Sequence, residues 1–194
     1  MSTRFVHLHN HSHYSLQDAA CKVPDLLKTT KDFGMDSVAL TDHGVMYGIP
    51  EFVKKAKNYN IKPIVGMEAY ITLEGTRFER GGDGQGRAKK KPYDHLILIA
   101  KNLQGYQNLI KLSSIGFLEG FYYRPRIDLD ALRQHHEGII CSSACLGGIV
   151  SKHLVNGNYD RAREVSVIFQ EIFEDDFYLE IQDHRLEDDK AVLE

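Results

Sequence analysis

No apolar run in this 194-residue chain approaches the roughly 18 residues that a membrane span needs, which excludes a bilayer-crossing helix. The opening MSTRFVHLHNHSHYS has no apolar core of the kind that directs export, so nothing marks the chain for secretion. Three cysteines (Cys21, Cys141 and Cys145) are too few and too odd in number for a disulfide framework, and fit a reducing cytoplasm. A net charge of -3 gives no strong drive toward nucleic acid or an anionic membrane. Repeats and low-complexity tracts are absent. With 42% hydrophobic and 26% charged residues, the composition excludes bulk disorder and fibrous architectures. The length fits one domain over residues 1–194. What the chain has in excess is histidine: ten in all, four of them between His7 and His13.

Short apolar or β-branched runs alternate with helical patterns. Strands are expected at 5–8, 37–40, 63–71, 95–100, 138–142 and 177–182, and helices at 23–33, 49–59, 105–118, 129–135, 146–155 and 159–173. Gly34 stands where a helix would stop, and Pro50 sits in the first turn of the next one. The alternation predicts an α/β fold with mostly parallel strands covered by helices. Residues 74–93, which include GGDGQGRAKKK, lack apolar periodicity and read as an exposed mobile loop. Residues 185–194 read as the opening turns of a further helix.

The chemistry concentrates after the strands. His9 and His11 stand two apart on an extended backbone, which turns both imidazoles to one side. Such a pair is either a metal-ligand motif or a polar strand face. His43 follows the second strand, Glu68 lies late in the third, and Cys145 follows the fifth, the rim where ligands gather in parallel α/β folds. His95, at the start of the fourth strand, breaks this pattern. Asp18 closes the loop after the histidine pair. Imidazoles, carboxylates and a thiolate together suit transition ions better than magnesium or calcium.

The ordered segments HLHNHSHYSLQDA, ALTDHG, KPIVGMEAY, HLILIAKN, YYRPRID and SACLGG resemble the N-terminal PHP (polymerase and histidinol phosphatase) domain of bacterial replicative DNA polymerase III alpha subunits, over essentially the whole chain. The resemblance implies a distorted (β/α)7 TIM-like barrel with up to three divalent ions, zinc or manganese. By motif, the ligands would be His9, His11, Asp18, His43, Glu68, His95 and Cys145, with Glu68 bridging ions. It implies 3′→5′ exonucleolytic proofreading in the intact polymerase. The implied partners are the other polymerase domains, replisome subunits and the primer 3′ end of DNA, in the cytoplasm and away from membranes. The family's last motif, an Asp-x-His after a further strand, has no counterpart here. A barrel truncated before its last strand, holding fewer ions, is therefore expected. The rival reading is a non-catalytic, metal-stabilised scaffold that docks polymerase domains or a separate nuclease.

Further residues have two readings each. Arg124 and Arg126 offer guanidinium forks for phosphodiester oxygens and so count with Glu68 as catalytic candidates, or they form structural ion pairs. Asp42 orients a ligating imidazole or caps a helix. His7, on the face of the pair but deeper, and His184, after the last strand, are candidates for backing the ligands. Phe121, Tyr122 and Tyr123 either stack bases or pack.

Overall fold

The computed structural model describes residues 5–80 and 93–193. In chain order these form α1 (Val23–Asp32), β1 (Ser37–Leu40), α2 (Ile49–Tyr59), β2 (Lys62–Thr72), β3 (Asp94–Ala100) and α3 (Leu103–Leu118). There follow β4 (Phe121–Tyr122), β5 (Arg124–Asp128), α4 (Leu129–Gln134), β6 (Ile139–Ser142), α5 (Ile149–Val155), α6 (Tyr159–Phe173), β7 (Phe177–Tyr178) and α7 (Glu187–Leu193). The helix ends follow local chemistry. Proline occupies the first turns of α1 and α2, where a missing N–H costs nothing. The side chains of Asn102, Asp128 and Asn158 accept backbone N–H groups at the starts of α3, α4 and α6.

The strands make one mixed sheet, in the order β4-β5-β2-β3-β6-β7, with β1 also paired to β2. β1 and β5 run parallel to successive halves of the long β2, on the edge opposite β3. β3 runs antiparallel to both β2 and β6, whereas β7 runs parallel to β6. The expectation of mostly parallel strands is thus corrected. Among the described residues, no strand pairing closes the sheet into a ring.

Both faces of β3 are apolar. Leu96 and Leu98 join the main core with Leu109 and Leu112 of α3 and Phe169 of α6, while Ile97 and Ile99 pack with Ala144 on the other face. A second core holds β1 against α1 and α2 through Val38, Leu40, Leu27 and Phe52. The two-residue period puts His95 on the Ile97 and Ile99 face, opposite Glu68 and Tyr70 of β2. That face carries the chemistry.

Four other expectations change. Residues 5–8 are extended but do not form a strand. Ala39 N donates to His7 O and Thr41 N to Asn10 O, so this segment advances three residues while β1 advances two, and a regular ladder cannot propagate. Phe121–Tyr122 and Arg124–Asp128 form an unforeseen hairpin with Tyr123 at its tip. The last strand ends at Tyr178, and Leu179 and Ile181 beyond it stand 63% and 66% exposed. Finally, the expected mobile loop falls partly outside the described residues (81–92), and its opening is fastened. Arg77 pairs with Asp128 and Glu119 at 2.9 and 2.7 Å.

Candidate metal centre

Glu68 is the hub. β2 delivers it at zero exposure, and four imidazoles reach its carboxylate. His9 Nε2, His11 Nε2 and His43 Nδ1 lie 3.4, 3.0 and 2.8 Å from Oε2, and His95 Nδ1 lies 2.9 Å from Oε1. His95 reaches the hub because β3 runs opposite to β2. The start of β3 therefore lies at the same end of the sheet as the C-terminal half of β2, and the apparent exception to the rim pattern disappears. His43 follows β1 and is bridged to Glu68 by backbone pairing. Gly44, at φ +65°, lets the chain turn away there; a Cβ would meet the Tyr70 ring at 2.9 Å and Pro125 at 2.8 Å.

Burial alone would raise the Glu68 carboxyl pKa, but His11, His43, His9 and His95 outweigh it and hold the group well below the usual carboxylate range. Burial alone would lower His9, but Glu180 and Glu68 raise it to about 9. In the ion-free protein His9 is therefore protonated at neutral pH. A cation must displace that proton, so uptake strengthens as the pH rises toward 9. Burial and Glu68 also raise the Cys145 thiol above its ordinary range.

The donor set fits a cation. His43 Nδ1, His95 Nδ1 and Glu68 Oε2 are buried without a hydrogen-bond partner, although they crowd one another. The two nitrogens meet the Glu68 carboxylate as ion pairs at 2.8 and 2.9 Å without aligned hydrogen bonds, and a shared ion would satisfy all three atoms at once. Three groups of donors lie close enough to hold an ion: His9, His11 and Glu68; His11, Asp18 and His43; His43, Glu68 and His95. Cys145 stands beside them, its Sγ 3.8 Å from Glu68 Oε1, but belongs to none of the three.

Around the donors, the outer contacts differ from expectation. Asp42 neither touches an imidazole nor caps a helix. Its carboxylate accepts from Ser12 N at 2.6 Å, Ser12 Oγ at 2.8 Å and Ser15 Oγ at 2.7 Å, which pins the loop carrying His9 and His11. Ser15 Oγ in turn accepts from His43 N at 3.1 Å. His7 is exposed, with its ring edge-on to Phe5, so it does not lie deeper than the pair. His184 is also exposed and faces Asp189 at 3.8 Å rather than the hub. The residue that does back a ligand is Glu180, which the sequence reading missed. Its Oε1 lies 2.7 Å from His9 Nδ1, and its Oε2 accepts from Ser142 Oγ at 2.7 Å. This contact assigns the proton to Nδ1 and leaves Nε2 for an ion, the usual carboxylate–imidazole–metal arrangement. The available signal was an acidic residue alternating with the apolar Leu179 and Ile181.

The two arginines separate. Arg124 is exposed in the cleft beside His43 and His95, its guanidinium 5.7 Å from the Tyr70 ring centre. Arg126 is 1% exposed and donates to Gly120 O at 3.1 Å, Arg77 O at 3.0 Å and Glu79 O at 2.7 Å. The expected phosphate contact by Arg126 does not hold, because its donors are spent on backbone. Arg126→Met is expected to cost about 2–4 kcal/mol of stability, since it orphans three carbonyls, while leaving metal content unchanged. Urea unfolding and elemental analysis of the same preparation check both parts.

The PHP domain family matches residues 7–184. A DNA polymerase III subunit alpha of Borreliella burgdorferi is 47% identical over 192 residues, covering 99% of this chain and 16% of that protein. Another from Helicobacter pylori is 47% identical over 200 residues, covering 98% of this chain and 16% of that protein. The chain thus spans about one sixth of the length of these curated relatives. Among solved structures, an amidohydrolase from Chromobacterium violaceum overlays at TM-score 0.35 and 18% identity, over 57% of this chain and 33% of that one, and adds nothing to the family match.

Proposed function

Because the chain belongs to the PHP domain family, we propose that it forms a divalent-metal phosphoesterase centre within a DNA polymerase III alpha subunit, removing nucleotides from DNA 3′ ends. The observation that carries this reading is the convergence of four imidazoles on the buried, partly unpartnered Glu68 carboxylate. A TIM-like PHP barrel is the architecture proposed for the complete domain. Its partners would be the remaining polymerase domains, other replisome subunits and the primer 3′ end, in the cytoplasm.

Donor chemistry limits the ion count. A neutral imidazole has one lone pair, so His11 and His43 can each serve one ion only. Two of the donor groups, His9–His11–Glu68 and His43–Glu68–His95, share nothing but Glu68, whose two oxygens can bridge. Two ions, zinc or manganese, are accordingly the proposed content rather than three. Asp18, 3.2 Å from His43 Nε2, then takes the other ring N–H of that ligand. Cys145 remains a neighbour of the bridge.

Divalent ions held there would supply Lewis acidity and neutralise phosphodiester charge. The chain supplies the rest. Glu180 fixes the His9 tautomer, Asp42 holds the loop, and Arg124 offers a charged fork to phosphate oxygens at the cleft. In the overall reaction water adds to phosphorus and the bond to the 3′ oxygen of the penultimate nucleotide breaks. That oxygen leaves as a hydroxyl, and a nucleoside 5′-monophosphate is released.

The test is manganese-dependent release of nucleotides from a 3′-labelled strand, before and after chelation. His9→Ala combined with His11→Ala is expected to lower the rate on the order of a hundredfold or more, together with metal content. Loss of thermal stability and metal, with no hydrolysis in the parent protein, would establish the scaffold reading instead.

A further inference from the structure

We infer that the aromatic cleft beside the metal donors is a subsite that stacks the single unpaired nucleobase at the 3′ end. This rests on the phosphoesterase reading and names its substrate selectivity. The cleft has a volume of about 520 Å³, and its lining includes His43 and His95 together with Tyr47, Phe117, Phe121 and Tyr123. That is the scale of one small ligand such as a nucleobase.

Packing does not account for these rings. Tyr47 and Phe121 each lie 6.0 Å from Phe117, centre to centre, yet remain 57% and 50% exposed. Tyr123 is 78% exposed at the tip of the β4–β5 hairpin, in a left-handed conformation of φ 60°. Bulky L-residues disfavour that region, where glycine or asparagine would sit easily. Among the described residues, the Tyr123 ring has one ring contact, edge-on to the adjacent Tyr122 at 4.6 Å, which leaves most of its surface in water. Its position in the cleft gives it a use, because strained conformations persist where function holds them.

The next residue, Arg124, extends the argument from the base to the backbone. Its guanidinium lines the same cleft, so a ring stacked on the wall and a phosphate near the ions can be held together. Base–aromatic stacking tolerates any sequence, since every base has a π-face. A terminal base can enter only after leaving its own stack and partner, which costs least at a mismatch.

The full chain is tested with manganese on three duplexes that differ at the terminal 3′ nucleotide: paired, mismatched, and abasic. The expected result is about tenfold faster removal of the mismatched nucleotide than of the paired one, and loss of that advantage at the abasic end. Tyr123→Gly is expected to raise thermal stability, because it relieves the left-handed strain, and yet to raise KM for base-bearing ends about tenfold without changing removal of the abasic residue. Tyr123→Phe should behave as the parent. Independently of hydrolysis, 2-aminopurine at the 3′ terminus should lose fluorescence on binding in the presence of chelator, and should keep it with Tyr123→Gly. This quenching, together with no hydrolysis when manganese is supplied, would sustain the subsite while removing the phosphoesterase reading. Hydrolysis that treats base and abasic ends alike, or a bright 2-aminopurine in the parent complex, would overturn the subsite alone.

Discussion

Glu68→Gln should empty the metal centre. An amide keeps the shape of the side chain but loses the charge, and its NH2 group meets imidazole nitrogens that now lack a shared anion. If Glu68 bridges two ions as proposed, it needs both acceptor oxygens, and bound metal should fall to less than one ion per chain. Any manganese-dependent hydrolysis should fall by at least about a thousandfold, beyond the 10–100-fold typical of losing an outer partner. Elemental analysis after gel filtration reads the first effect, and single-turnover kinetics the second. Full metal occupancy in Glu68→Gln would mean that the ions sit elsewhere. The same substitution should lower the His9 pKa from about 9, because one of the two carboxylates that raise it is gone; NMR titration of the ion-free protein follows that change.

Asp42→Ala should be the most damaging change that touches no ligand. It removes a buried acceptor of three hydrogen bonds and orphans Ser12 N within an interior turn. Bonds to a charged group contribute about 1.5–3 kcal/mol each and do not add fully, so a loss of about 3–5 kcal/mol is expected. For a chain of this size that corresponds to a fall in melting temperature of roughly 10–15 °C. Metal affinity should fall as well, because the loop bearing His9 and His11 is no longer pinned. Calorimetry and a metal titration separate the two effects. A destabilised protein with unchanged affinity would show that the loop is held by its imidazoles alone.

Much of this was legible in the residue pattern, and what was missed has identifiable causes. The helices were readable because α1, α2, α3 and α6 each bury an apolar stripe at helical spacing. Strand direction was not readable, since HLILIA has the same two-residue period whichever way it runs. Antiparallel placement of β3 is what turns His95 from an exception into a neighbour of Glu68. The β4–β5 hairpin was hidden by Pro125 and by a tip residue that hairpin rules do not favour. Arg126 looked equivalent to Arg124 because both flank one proline. Two residues apart on β5 they share a face, but Arg124 stands at the open end of the strand and Arg126 is covered by residues 77–79 and Gly120. Glu180 could not be paired with His9 from the chain alone, because only the folded sheet brings them together.

That last contact spans 171 positions. A ribosome adding about 5–20 residues per second completes the carboxylate roughly 10–30 s after the imidazole it will orient. For about the first third of that interval Glu68 itself has not been made, and throughout it the group that sets the His9 tautomer is missing. Metal affinity of the newborn chain should accordingly reach its full value only once Glu180 has been added.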